Sequence, residues 1–158
     1  MNYIAPSPRF LVQQNLGKLA KTLRFLGYDA AIYNQVKLEN LFRIASKDKR
    51  VILTRSSKDL KKISPVKIVM IKSEIPEMQI EEIKYLLTFN TEYIFSRCSI
   101  CNKFLYEIDK NKIISLVPEF VYRKYSCFKI CRFCGRVYWQ GNHYQEMYKK
   151  LKNLFEDG

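Results

Sequence analysis

Four cysteines in two Cys-x-x-Cys pairs are the residues whose types and spacing most directly specify chemistry in this chain. Cys98 and Cys101 form the first pair, and Cys131 and Cys134 form the second. Each pair places two thiolates on one tight turn, and two such turns complete a tetrahedral Zn²⁺ site. Because four thiolates fill the coordination sphere and leave no position for water, the predicted ion is structural and does not catalyse a reaction.

Cys127 and His143 lie close to these pairs and are further candidate ligands. Cys127 precedes Cys131 by four residues, a spacing that suits metal binding less well than the Cys-x-x-Cys pairs, so we expect a buried free thiol there. Four cysteines already suffice for the ion, so we expect His143 at the start of a helix, hydrogen-bonded or in contact with a phosphate.

The net charge is the second informative feature. The chain has 28 lysines and arginines against 15 aspartates and glutamates, a formal net charge of +13 over 158 residues. Two basic regions, residues 1–73 and 96–158, flank an acidic segment at 74–95. This excess predicts a polyanionic partner, either nucleic acid or an anionic membrane surface.

Composition favours a folded protein in a reducing compartment. Hydrophobic residues make up 47% of the chain, with five glycines and five prolines, so it can bury a core. No segment has the length and apolar character of a membrane span, and the first eight residues lack the apolar core of a signal peptide. We therefore expect a cytoplasmic protein whose cysteines bind metal and have no disulfide partner.

The elements that must position these residues can be predicted from apolar periodicity. In the first part of the chain, short apolar runs alternate with segments of helical spacing. The predicted strands are 9–12, 30–33, 51–54 and 66–71, and the predicted helices are 16–27, 38–45 and 75–89. This alternation predicts right-handed βαβ units, and hence an α/β fold with a parallel sheet and flanking helices over residues 1–92.

Residues 93–158 follow a different pattern. Short strands are predicted at 93–95, 104–106, 113–114 and 137–139, interleaved with the two cysteine pairs, and a closing helix at about 142–155. We expect a small zinc-ribbon domain with a C-terminal helix, because so few apolar residues would not fold without metal.

Both parts of the chain resemble the Mut-seven C-terminal family of RNases, which couples a PIN-like nuclease domain to a zinc ribbon. The strings that carry the resemblance are Leu16-Gly-Lys-Leu-Ala20, Leu23-Arg24, Gly27-Tyr28-Asp29, Leu53-Thr54-Arg55, Ser96-Arg97-Cys98, and the run from Cys131 through Tyr138-Trp139 and Gly141 to His143. The resemblance covers about residues 9–148. It implies a PIN-like parallel sheet followed by the ribbon.

The resemblance also implies a cluster of carboxylates, and this chain departs from that pattern. PIN-like nucleases gather three or four acids at the C-terminal ends of parallel strands, where they hold Mg²⁺ or Mn²⁺. The first acid should end the opening strand, where this chain has Gln13. A later acid should follow the Leu-Thr-Arg string, where it has Ser56 and Ser57. At least two of the three expected acids are missing.

Three carboxylates remain as weak catalytic candidates. Glu39, in the string Lys37-Leu38-Glu39, stands near the second family position with a shift of one residue. Asp59 qualifies only if a residue has been inserted after the Leu-Thr-Arg string. Asp29 matches the family string Gly-Tyr-Asp, but it could equally brace the turn after the first helix.

Two functions from different classes follow. The first is a catalytically inactive RNA-binding protein, held on a large structured RNA such as the ribosome, with ribosomal RNA and neighbouring ribosomal proteins as partners. Lysine and arginine would neutralise phosphates, and aromatic side chains would stack on unpaired bases. The predicted RNA-binding residues are Lys18, Lys21, Arg24, Arg55, Arg97, Arg123, Lys124, Arg132, Arg136, Tyr138 and His143.

The second function is an active endoribonuclease that uses Mg²⁺ or Mn²⁺ with a rearranged site of Asp29, Glu39 and Asp59. A protein-interaction module is a third alternative, and it would lack salt-sensitive RNA binding.

Overall fold

The computed structural model describes residues 5–34, 36–56, 58 and 66–157. Within these ranges the strands are β1 (Arg9–Gln13), β2 (Ala30–Tyr33), β3 (Arg50–Thr54), β4 (Ile68–Met70), β5 (Leu105–Ile108), β6 (Phe128–Cys131) and β7 (Val137–Tyr138). The helices are α1 (Gly17–Phe25), α2 (Leu38–Lys47), α3 (Pro76–Ile83), α4 (Glu119–Lys124) and α5 (Asn142–Glu156).

A four-stranded parallel sheet forms the first part of the chain, in the order β2-β1-β3-β4. The central strands β1 and β3 are buried along most of their length, so their sequences are continuously apolar rather than alternating. Helices α1 and α3 contribute to the core on one face of the sheet, and α2 packs on the other. The predicted α/β fold is confirmed.

Helix α1 packs its apolar side on the sheet and ends at a tight turn. Leu19 and Leu23 are buried in the main core. The turn needs Gly27, whose φ is +96° and whose position would place a Cβ 2.5 Å from the carbonyl oxygen of Tyr93. Glycine alone avoids both the backbone strain and this contact, so the turn brings the start of β2 close to the segment that leads into the ribbon.

The second sheet is antiparallel, in the order β5-β6-β7. Two small apolar clusters support it, one around Cys98, Leu105 and Cys131 and one around Val121 and Phe128. These clusters bury few side chains, as expected for a zinc ribbon in which the metal supplies much of the folding energy.

Helix α5 returns to the first part of the chain. Leu151 is buried in the main core beside the sheet, and Tyr144, Met147, Tyr148 and Leu154 pack against that core. The helix predicted at 142–155 is therefore present, but it completes the α/β layer rather than the ribbon. The division into residues 1–92 and 93–158 stays a prediction.

Two predicted strands are wrong. Residues 93–95 form a turn, in which the Asn90 carbonyl accepts hydrogen bonds from the N–H groups of Tyr93 and Ile94. Residues 113–114 follow a short 3₁₀ helix at Lys110–Lys112. In each segment one isoleucine, Ile94 or Ile113, is buried although it lies outside any strand. A short apolar run in the sequence does not distinguish such a buried turn from a strand.

Two helices also differ from the sequence prediction. The helix predicted at 75–89 ends at Ile83 and continues as a 3₁₀ turn at Lys84–Leu86, and α4 was not predicted. Among the described residues, no helix combines the length and the apolar composition that crossing a membrane requires.

Candidate functional site

The two Cys-x-x-Cys pairs meet in the ribbon. Cys98 and Cys101 lie on a turn before β5, Cys131 ends β6, and Cys134 lies on the turn before β7. Their four sulfur atoms all lie within 4.8 Å of one another, and Cys98 Sγ is 3.7 Å from Cys134 Sγ. A tetrahedral ion with about 2.3 Å metal–sulfur bonds requires sulfurs about 3.8 Å apart, so the cluster fits one such ion. The four cysteines are positioned to bind a metal ion.

The surroundings of the sulfurs suit thiolates. The Cys101 N–H donates to Cys98 Sγ at 3.3 Å, and the Tyr138 hydroxyl lies 2.9 Å from the same sulfur. A backbone hydrogen bond from Arg136 lowers the pKa of Cys134 to about 6, whereas burial raises the pKa of Cys101 to about 12. Sulfurs this close repel one another when several are ionised, and a bound divalent cation removes that repulsion.

The other two candidate ligands lie outside this cluster. Cys127 is exposed, so the predicted burial of its thiol is wrong. His143 lies in the first turn of α5 and is exposed. None of the five cysteines, all of them within the described ranges, forms a disulfide.

The carboxyl-end edge of the parallel sheet is where the family resemblance implies a nuclease site. A cleft of about 410 Å³ opens there, lined by Gln13, Gln14, Asn15, Tyr33, Asn34, Val36, Leu41 and Ser56. None of these lining residues, which all belong to the described part of the chain, is a carboxylate.

Gln13 lies at the end of central strand β1, and its side-chain oxygen already accepts two hydrogen bonds. Its Oε1 atom accepts hydrogen bonds from Thr54 Oγ1 at 3.1 Å and from the Arg55 N–H at 2.8 Å. The amide therefore ties β1 to the end of β3. A neutral oxygen with two donors bound to it is a poor ligand for a hard cation such as Mg²⁺.

Glu39 and Asp59 follow strands β2 and β3 in the sequence, so they are the two candidate acids expected near this edge of the sheet. Glu39 is exposed in the first turn of α2 and does not line the cleft. Its negative charge at this position stabilises α2 by interacting with the positive end of the helix dipole. Asp59 lies outside the described residues, as does Ser57.

Asp29 lies at the opposite edge. It directly precedes β2, and its carbonyl accepts the N–H of Phe10 at the start of β1. Arg50 donates to both carboxylate oxygens, at 2.7 and 3.2 Å, and Asn102 Nδ2 donates at 2.7 Å. Burial favours a higher pKa for Asp29, but the hydrogen bonds from Arg50 and Asn102 outweigh it and hold the pKa below its ordinary value. The carboxylate thus links the sheet to the ribbon.

Two of the predicted RNA-binding residues, Arg24 and Arg97, are buried. Arg24 donates to the carbonyl oxygens of Ala30, Ser99 and Ile100. Arg97 donates to those of Gly27 and Asn102. Both arginines therefore connect the α/β layer to the ribbon through these hydrogen bonds.

The remaining predicted RNA-binding residues lie at or near the surface but are spread over the fold. Arg55 and Tyr138 are half-buried, and the exposed ones are Lys18, Lys21, Arg123, Lys124, Arg132, Arg136 and His143. Arg55 is held by the Ser73 carbonyl at 2.6 Å, and Tyr138 by the cysteine cluster. The structure does not bring these residues together in one pocket.

Exposed aromatic side chains on the ribbon are features that the sequence reasoning missed. Phe133, inside the second Cys-x-x-Cys pair, is 76% exposed, and Phe120 on α4 is 69% exposed. The Arg132 guanidinium stacks over Tyr106 at 3.8 Å, and Lys103 Nζ lies 5.9 Å from the Phe133 ring centre. The signal for Phe133 was available, because the two middle residues of a Cys-x-x-Cys turn face outward when the cysteines bind one ion.

Comparison with known proteins agrees with this architecture. The family model described as the Mut7-C RNAse domain matches residues 8–151. Searches of curated proteins and of solved structures gave no significant match. The matched segment begins just before β1, includes both sheets and the four cysteines, and ends within α5, so the chain belongs to the Mut7-C RNase domain family.

Proposed function

We propose that the protein binds RNA without cleaving it, as a PIN-like nuclease domain that has lost its metal-binding acids. The observation that carries this proposal is the carboxyl-end edge of the parallel sheet, where Gln13 replaces the first acid and its oxygen is bound by Thr54 and Arg55. Family membership supports an RNA-related role. The net charge of +13 supports a polyanionic partner.

Without the acids, this edge of the sheet lacks the ligands that would hold Mg²⁺ or Mn²⁺. Two-metal hydrolysis needs anionic oxygens that hold the ions about 3.5–4 Å apart around the scissile phosphate. Glutamine and serine at these positions leave a neutral cleft, which no longer repels phosphate. RNA can therefore lie near this edge without being activated for cleavage.

The ribbon contributes a rigid surface for binding. We propose that its four cysteines bind Zn²⁺, because four thiolates in tetrahedral geometry are the usual structural zinc site. The turns that carry the cysteines also present Phe133 and nearby basic residues such as Arg132 and Arg136 to solvent. Aromatic and arginine side chains on a rigid surface stack on unpaired bases.

A ribosomal location fits these features. A large structured RNA offers both phosphates and unpaired bases, so we propose that the partners are ribosomal RNA and neighbouring ribosomal proteins in the cytoplasm. Sedimentation of cell extract in low salt tests this point. Co-migration with ribosomal subunits supports the location, and recovery at the top of the gradient rejects it.

The family description favours one alternative, a metal-dependent endoribonuclease that would use Mg²⁺ or Mn²⁺. A single experiment separates the two: labelled single-stranded RNA is incubated with the protein in either ion, and binding and cleavage are measured on the same samples. Salt-sensitive binding with intact RNA supports our proposal. Cleavage that is lost in Glu39→Gln or Asp59→Asn supports the nuclease, and absence of RNA binding rejects both.

A further inference from the structure

A second cleft, of about 590 Å³, opens at the amino-end edge of the parallel sheet. Five charged side chains line it, Arg9, Asp29, Arg50, Arg97 and Lys103, and Cys101 of the cysteine cluster borders it as well. We call it the arginine cleft. It lies at the other end of β1 from Gln13, about 13 Å away along a strand that rises about 3.3 Å per residue.

The positive charge of the arginine cleft is only partly balanced. Asp29 and Asp48 both pair with Arg50, at 2.7 and 3.6 Å. Arg9, Arg97 and Lys103 have no carboxylate within 4 Å in the described part of the chain. Three cations therefore remain around a partly enclosed space, where low-dielectric walls strengthen their combined field.

Arg97 is held in a fixed orientation within this cleft. The residue is 8% exposed, its Nε donates to the Gly27 carbonyl at 2.9 Å, and its Nη1 donates to the Asn102 carbonyl at 2.8 Å. The Phe104 ring lies 4.2 Å from the guanidinium carbon. Its Nη2 makes no hydrogen bond to any described residue and remains available to a ligand.

The charges around Arg97 also favour an anion. Arg50 and Arg9 line the same cleft as Arg97, and Asp29 is the one carboxylate among the described residues that line it. An anion placed among these groups would relieve both the desolvation and the repulsion between like charges.

We propose that the arginine cleft binds a phosphate group, supplied by RNA if the proposed function holds. Arginine donors in a rigid planar arrangement match phosphate oxygens, and exposed Arg9 and Lys103 can close on the same group. Bound RNA is then anchored at the edge of the sheet opposite the degenerate nuclease edge. The phosphate is either a 5′-terminal monoester or an internal diester, and the experiment distinguishes them.

The test measures binding of inorganic phosphate by calorimetry to the full chain and to the double variant Arg9→Gln/Lys103→Gln. Both side chains are exposed, so the variant should fold normally. The matched control is Lys47→Gln/Lys149→Gln, which removes the same charge from exposed positions outside the cleft. We expect at least tenfold weaker phosphate binding in the first variant and less than twofold change in the control. No phosphate binding, or equal loss in both variants, overturns the proposal.

The same proteins are then titrated with one single-stranded RNA carrying either a 5′-phosphate or a 5′-hydroxyl. Preference for the 5′-phosphate identifies a monoester, and equal binding identifies an internal diester. In either case the slope of log affinity against log salt should be smaller by about 1.4 in Arg9→Gln/Lys103→Gln than in the wild type. This value follows from two lost phosphate contacts at about 0.7 each. An unchanged slope removes RNA as the source. If RNA does not bind the wild type at all, the proposed function fails, while the phosphate titration still decides the cleft.

Discussion

Replacing Asp29 with asparagine tests whether this carboxylate acts as a structural brace or as a catalytic acid. The substitution keeps the size of the side chain and removes its charge. Arg50 then loses a partner that it contacts through two hydrogen bonds, and Asn102 loses an ionised acceptor at 2.7 Å. Asp48 remains near Arg50, but at 3.6 Å.

The structure sets the magnitude of the effect. The side chains of Arg50 and Asp29 are 12% and 17% exposed, so solvent screens the pair only weakly. Breaking a buried ion pair costs about 3–5 kcal/mol, and asparagine retains part of the hydrogen bonding, so we expect a loss of about 3 kcal/mol. For a chain of this length that corresponds to a melting temperature lower by about 6–12 °C.

The assay is denaturant unfolding of both proteins at several pH values. The pKa of Asp29 is lowered in the folded protein, so its stabilising contribution is complete above the unfolded value of about 3.9 and is lost as the pH falls through the lower folded value. The difference between wild type and Asp29→Asn should therefore be constant from pH 5 to 7 and shrink below about pH 4.

A matched control removes an exposed ion pair. Glu74 pairs with Arg55 at 3.5 Å and is 88% exposed, so Glu74→Gln should change the free energy of unfolding by less than about 0.5 kcal/mol. A change of that small size in Asp29→Asn would refute the bracing role. So would normal stability combined with loss of an RNA-cleaving activity.

Two further predictions concern the ribbon and the turn after α1. Removing metal with a chelator, or changing Cys131 to serine, should unfold the ribbon and shift the fluorescence of Trp139, the single tryptophan of the chain. The control Cys127→Ser should leave the spectrum unchanged. An unchanged Trp139 signal without metal would contradict a structural ion. Gly27→Ala should destabilise the fold by about 3 kcal/mol, because it combines a left-handed φ with a 2.5 Å contact. Gly17→Ala, at a φ of −60° with no neighbour within 4 Å, should be neutral or slightly stabilising in thermal melts. Equal effects of the two alanines would show that the close contact at Gly27 is absent.

The parallel sheet and the cysteine cluster were predictable from the sequence because their signals are local. The strands of the sheet are continuous apolar runs, as at Val51–Leu53, and helices such as α1 show apolar residues at helical spacing. The two cysteine pairs specify a tetrahedral site by spacing alone. The glutamine at the position where the family resemblance implies an acid was equally visible, because Gln13 ends the apolar run of β1.

The roles of the buried arginines were not predictable in this way. Arg24 and Arg97 are basic residues in a basic chain, and composition assigns them to a nucleic-acid surface. Their actual partners are carbonyl oxygens about 70 residues away in sequence, or on a neighbouring turn. Such long-range pairing leaves no periodic trace, and the same holds for Asp29, whose partners Arg50 and Asn102 come from both parts of the chain.

Helix α5 has a consequence for how the chain folds during synthesis. The main core of the α/β layer includes Leu151 and is covered by Met147 and Leu154, so the layer that starts at residue 9 is closed by residues that are synthesised after the four cysteines. Until those residues leave the ribosome, the apolar surface beside α1 and α3 stays open to solvent, and the ribbon has already had the opportunity to take up its metal. The metal centre can therefore form before the parallel sheet reaches its final stability, although its cysteines follow the sheet in the sequence.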